Sequence, residues 1–254
     1  MSSSLKNIER AIIERLNSDA PVSNVWGLAF FFNFFFIYFL SFFIGFIITR
    51  TEITELSFAI IMIAALILRL VLIPLSVYKI SKCQITHFNG SRKVRASLII
   101  YGREKFSELT NCIALKSHYE VYFYEKKMNP TSYALLSIIP FAPTLIIYSL
   151  STSFYIHHIK ETSLAMGIRA SIDMDASFIK EAFELRRENL ALYVLLSLIT
   201  AEIFLVFWVF IIIRDFKNHL RFHEKFEKGV LSSIQRAETH VTEESVSGDF
   251  ITTD

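Results

Sequence analysis

The sequence predicts an all-α, polytopic membrane protein with about four transmembrane helices and a cytoplasmic helical hairpin. Three observations carry this expectation. Of the 254 residues, 53% are apolar, and Phe alone supplies 25 of them. The apolar residues gather into four runs, each reaching the roughly 20 residues needed to cross a hydrocarbon core. Val25 to Thr49 and Thr131 to Ile156 carry no charge, Ser57 to Tyr78 carries only Arg69, and Asn189 to Ile213 carries only Glu202. The basic residues then fall on alternate connections. Lys79 to Pro130 holds ten Lys/Arg against four Glu, and the tail opens with Arg214, Lys217, Arg221, Lys225 and Lys228. His157 to Glu188 holds five basic and six acidic residues. Positive loops stay on the cytoplasmic side. Both termini and the 79–130 loop are therefore expected inside, with the turn at 50–56 and the 157–188 segment outside. A bacterial inner membrane is the expected setting.

The elements follow in order. Residues 1–24 form a cytoplasmic N-terminus in which Leu5, Ile8, Ile12 and Leu16 recur at helical spacing. This predicts an amphipathic helix over 4–17, lying either on the inner membrane surface or against the cytoplasmic loop. The first apolar run is too long for a signal-peptide core, and Glu9, Glu14 and Asp19 argue against a mitochondrial presequence. Residues 25–56 supply the first transmembrane helix and an outer turn. Asn33 is the main polar feature of that helix, which reads as a peripheral anchor. Residues 57–213 form the membrane core, interrupted by the hairpin 79–130. Asn89-Gly90 and Gly102 break that hairpin, and Phe106, Leu109 and Ile113 continue it as a helix ending near Lys127. Residues 214–254 form a tail that is basic and helical at first, then disordered over its last 15 Ser-, Thr- and acid-rich residues.

The candidate site lies in the core. A charge at mid-membrane costs at least ~2.5 kcal/mol and marks either a functional group or an ion-paired packing residue. Arg69 lies ten residues before Lys79, roughly 15 Å from the cytoplasmic boundary at 1.5 Å per residue. Glu202 lies at a similar depth in its own run, so the two are candidates to pair. Ser137, Thr144, Tyr148 and Ser151 recur at steps of seven, four and three, placing a polar stripe on one helix face with Pro140, and with Pro143 beside it. The stripe fits either a hydrated groove or hydroxyl-mediated helix packing.

No GxSxG, Walker loop, HExxH or paired catalytic carboxylate is present, so no enzyme is expected. No cofactor is expected either. Cys83 and Cys112 make no CxxC pair and read as free thiols. His219 and His223 have a metal-binding i, i+4 spacing, but no further ligand is near them in sequence, and they read as part of a solvated basic helix.

Arg69 to Ser76 reads RLVLIPLS, with Pro74 five residues after the Arg. A basic loop of about 50 residues then ends in YEKKMNP, Tyr124 to Pro130, at the edge of the next run. This pattern resembles the YidC/Oxa family of membrane protein insertases over roughly residues 57–156, with a reduced, three-span core. It departs from that family at Thr131-Ser132-Tyr133, where a Gly-rich start is usual. The resemblance implies a hydrophilic, cytoplasm-facing groove lined by Arg69, Ser137, Thr144, Tyr148, Ser151 and Glu202. The expected function is that of a membrane protein insertase or membrane chaperone. Implied partners are newly made membrane proteins, the lipid bilayer, a ribosome at the basic loop, and another membrane subunit completing the groove. The residues alone also fit a non-catalytic structural or assembly subunit, or a small channel or transporter using Arg69 and Glu202.

Overall fold

The computed structural model describes residues 3–33, 38, 42–45, 56–105, 129–172, 189–200 and 202–248. All regular structure among them is helical. The elements are α1 (Ser3–Ser18), α2 (Val25–Leu28), α3 (Leu56–Lys105), α4 (Pro130–Leu136), α5 (Ala142–Ile172), α6 (Leu190–Ile199) and α7 (Ile203–Gly248). The second arm of the expected cytoplasmic hairpin, the turn at 50–55 and Cys112 lie outside the described residues.

Three long helices dominate. Contacts between them fall at matching heights: Thr144 with Glu202, His87 with His157 and His219, and Arg95 with Glu161. α3, α5 and α7 therefore run parallel. α1 runs antiparallel to α3, with Leu5 in a cluster with Leu98 and Tyr101, Glu14 on Lys93, and Asp19 on His87.

The third and fourth apolar runs are not single helices. The third divides at 137–141 into α4 and α5, and the fourth divides at Thr200 to Glu202 into α6 and α7. Each folds back on itself. The Tyr133 hydroxyl lies 2.9 Å from Ser149 Oγ, and the Tyr193 ring packs against Phe204 and Trp208. Local chemistry explains both bends. Asn129 caps α4 by accepting from the N–H groups of Thr131 and Ser132, with Pro130 in the first turn. Asn189 caps α6 in the same way through Leu192 N–H. At the far ends Pro140 lies in the turn before α5, and Phe141 and Glu202 take left-handed backbone angles, φ 62° and 68°. Such φ values in non-glycine residues are uncommon and mark over-determined turns. The hairpins are also alike in sequence. NPTSYALLSII from Asn129 and NLALYVLLSLI from Asn189 agree at six of eleven positions, including the capping Asn, the Tyr and a buried Ser.

Two segments expected as a loop and as a broken hairpin are continuous helix. Residues 157–172, expected as part of a loop, are helical: they continue α5, with His157 beside His87 and with Leu164 and Ala165 in one cluster with Val94, Leu98, Phe222 and Phe226. The Asn89-Gly90 pair does not break α3, and neither does Gly102. Gly90 instead makes room for α1: a Cβ there would sit 2.4 Å from Arg15 Cγ. The helix expected over 4–17 is present as α1, packed on the bundle. α7 also continues to Gly248, into the segment expected to be disordered.

The molecule has two ends of different character. At one end, around the hairpin turns and the first half of α3, large apolar side chains face outward, among them Ile63, Ile67, Val71, Leu135, Leu195 and Ile199. At the other end, α1 and the later parts of α3, α5 and α7 form a four-helix bundle with charged outer faces and its own apolar core. Among the described residues one helix, within Ile63–Gly102, is long and apolar enough to cross a membrane. Pro74 lies inside α3, where it removes a backbone donor. Nearby hydroxyls bond back along the helix, as in Ser76 Oγ to Leu72 O at 2.7 Å.

Because Gly90 admits Arg15, Gly90→Ala is expected to undock α1. Overpacking of this kind costs about 1–3 kcal/mol. Limited trypsin digestion should then cut at Lys6 and Arg10 faster than in the wild type. Unchanged cleavage would show that Arg15 yields without cost.

Candidate functional sites at the hairpin turns and in the bundle

The turns of the hairpins meet at Arg69, which is 2% exposed. Its Nε donates to Asn33 Oδ1 at 2.7 Å and its Nη1 to the Ile138 carbonyl at 2.8 Å. The Ile138 carbonyl is available because the chain leaves helical geometry at 137–141. Glu202, fully buried in the other turn, accepts a 3.1 Å hydrogen bond from Thr144 Oγ1 and is near enough for its charge to act on Arg69. One polar knot therefore joins the first apolar run, α3, and both hairpins. Asn33, read as a feature of a peripheral anchor, is a direct partner of Arg69.

The six residues expected to line a groove divide. Arg69, Thr144 and Glu202 come together in this knot. Ser137 is buried in the turn and donates to Ala134 O, and Ser151 donates to Ile147 O one turn back. Tyr148 is 40% exposed and points outward, away from the buried members. The stripe assumed an unbroken helix from 137 to 151, and the turn at 137–141 removes that premise.

A second cluster lies in the bundle. His87 from α3, His157 from α5, and His219 and His223 from α7 are all buried, and one nitrogen from each lies within 4.8 Å of the others. Sequence reading placed His219 and His223 on a solvated face, yet they are 0% and 2% exposed. It missed His87 and His157 because those are brought near only by the parallel alignment of three helices. Around the rings, Asp19 Oδ2 lies 3.0 Å from His87 Nδ1, and His158 Nδ1 lies 2.9 Å from His219 Nδ1. Glu227 Oε1 lies 3.7 Å from His223 Nδ1, and its other oxygen pairs with Arg15 Nη2 at 2.9 Å. Arg95 and Glu161 form a separate buried ion pair one level further along.

Burial holds all four imidazoles below the usual histidine range. Mutual repulsion adds to this for His157, His219 and His223, while Asp19 opposes it at His87. They are thus neutral at pH 7, the form in which imidazole can ligate a metal. Burial also pushes the Glu227 carboxyl up to about 8, against the pull of Arg15.

No protein-family model, curated protein or solved structure matches this chain. The Asn129-Pro130 pair that resembles the insertase pattern has a local role here, as the cap and first turn of α4.

Removing an acceptor from a buried charged donor costs about 1.5–3 kcal/mol. Asn33→Leu is therefore expected to lower the thermal unfolding temperature in detergent. Thr144→Val, which removes a donor from the buried Glu202 carboxylate, should cost a similar amount, about 1.5–3 kcal/mol. An unchanged unfolding temperature in Asn33→Leu would show that Asn33 is not the partner on which Arg69 depends.

Proposed function

We propose that this chain is a membrane-embedded scaffold, a structural or assembly subunit whose apolar end sits in the bilayer and whose four-helix bundle stands on one face of it. The observation that carries the reading is the knot at Arg69: the residue is 2% exposed and its guanidinium binds two acceptors of this same chain, Asn33 Oδ1 and the Ile138 carbonyl. A guanidinium engaged in this way holds hairpins in register and has little surface to offer a client. The outward apolar residues of the turns and of α3 supply the surface that lipid or neighbouring membrane helices would cover.

The insertase or chaperone reading is the second one. Its support is the resemblance around Arg69 and Asn129-Pro130, together with a polar group held at depth beside a proline-containing turn. It requires the knot to open and present Arg69 to a substrate flank.

Arg69→Lys and Arg69→Ala separate the two. A scaffold arginine that uses two nitrogens at once is not replaced by a point charge. Both variants should then lower the amount of protein in the membrane to a similar extent. Insertion of acidic and neutral client segments, normalised to that amount, should be unaffected. If Lys retains activity and Ala loses it selectively for acidic clients, the scaffold reading falls and the insertase reading takes its place.

The architecture has its own test. With Cys83 and Cys112 replaced by Ser, single cysteines at Lys93, Ile159 and Lys225 should all react with an impermeant thiol reagent from the same side of sealed vesicles. A residue at 159 labelled only from the opposite side would restore four full crossings and overturn the folded-back hairpins.

A further inference from the structure

We propose that His87, His157, His219 and His223 form a binding site for a divalent first-row transition ion of the zinc type, which pins the three long helices together in the bundle. The geometry points to this independently of what the membrane end does. An ion bound tetrahedrally by imidazoles at about 2.0–2.1 Å sets its ligand nitrogens about 3.3 Å apart. His87 Nε2 and His157 Nε2 are 3.3 Å apart. The same tetrahedron places the ring centroids about 5.2 Å apart. Four of the six pairs measure 5.0 to 5.3 Å, and the other two, His219–His223 and His157–His223, measure 4.4 and 6.2 Å.

The orientation of the rings agrees. Asp19 on His87, His158 on His219 and Glu227 beside His223 all address Nδ1. This leaves Nε2 as the inward nitrogen of each, and it is also the nitrogen that His157 turns toward His87. A carboxylate on the outer nitrogen of a ligating histidine fixes its tautomer and orientation and raises its basicity. Asp19 has that place.

A further observation supports a shared ligand at this point. Nε2 of His219 and of His223 are buried with no hydrogen-bond partner among the described residues. Buried polar atoms are normally satisfied, so two of them facing one point call for an occupant.

The donor set selects the ion class. Four neutral imidazoles suit zinc and its first-row neighbours, whereas calcium and magnesium take oxygen ligands. With all four tetrahedral positions filled from the chain, the site holds structure and leaves no open position for a substrate. The ligands come from three helices, so occupancy would fasten α3, α5 and α7 at one level.

The test uses the full-length protein purified in detergent from metal-replete cells. Elemental analysis should find about one transition ion per chain. After chelation, cobalt(II) alone should restore one equivalent with visible d–d bands of tetrahedral intensity, and zinc should displace it. Chelation should lower the unfolding temperature, and zinc but not magnesium should restore it. His157→Gln and His219→Gln should each reduce the metal content at least fivefold, while Cys83→Ser leaves it unchanged. Should the Gln variants fail to fold, chelation and reloading of the wild type decide the matter alone. Folded wild-type protein with no bound metal and no cobalt spectrum would overturn the proposal. So would octahedral cobalt bands, or an unchanged stoichiometry in folded His157→Gln and His219→Gln.

Discussion

The structure depends on where the Arg69 guanidinium finds its hydrogen bonds. An arginine placed among Ile, Leu and Phe must be satisfied by its own chain or by water. Here Asn33 and the Ile138 carbonyl accept from it, and Glu202 adds an opposite charge nearby. The Ile138 carbonyl is free only because the third apolar run bends, so the bend and the arginine support each other. The same reciprocity holds at the other turn, where Glu202 with φ 68° accepts from Thr144. Two bends that are locally unfavourable are thus stabilised by polar contacts that only the bends make possible.

That knot sets the register of everything beyond it. Once the turns at 137–141 and 200–202 are fixed beside Arg69, the three long helices leave in parallel and their residues meet level by level. Apolar layers alternate with polar ones. Ile73, Ile147 and Leu205 belong to the first core cluster, the histidines follow, then Arg95 with Glu161, then Val94, Leu98, Leu164 and Phe226 in the second cluster. α1 closes the bundle through Gly90, where the missing side chain admits Arg15 to the carboxylates beside the histidines. The bundle accordingly has a highly polar interior for its size, and its stability rests on pairing those groups more than on apolar area alone.

The related hairpins suggest how such a molecule is assembled. Asn129 to Ile139 and Asn189 to Ile199 share a cap, a Tyr four residues later, a Ser four residues after that, and a turn with a left-handed residue. Each then feeds a long helix that delivers histidines to the same level. The repeat was visible in the sequence as six matches in eleven positions, but it lay inside runs that hydropathy reads as featureless.

The sequence by itself determined the helical class, the amphipathic N-terminal helix, the exceptional standing of Arg69 and Glu202, and the division into apolar and basic segments. These follow from composition and from periodicity along one chain, which local physics controls. Tertiary structure decided what length and hydropathy could not. An apolar run of 25 residues is equally long whether it crosses once or folds back at its middle, and the choice rests on turn residues and on the partner of a distant arginine. The polar stripe of Ser137, Thr144, Tyr148 and Ser151 dissolved for that reason, since its spacing held only on a continuous helix. The histidine cluster is the clearest instance. His87, His157 and His219 are separated by 70 and 62 residues, and no window along the chain contains more than the His219–His223 pair together with its neighbours. Only the parallel packing of three helices turns scattered imidazoles into one buried layer.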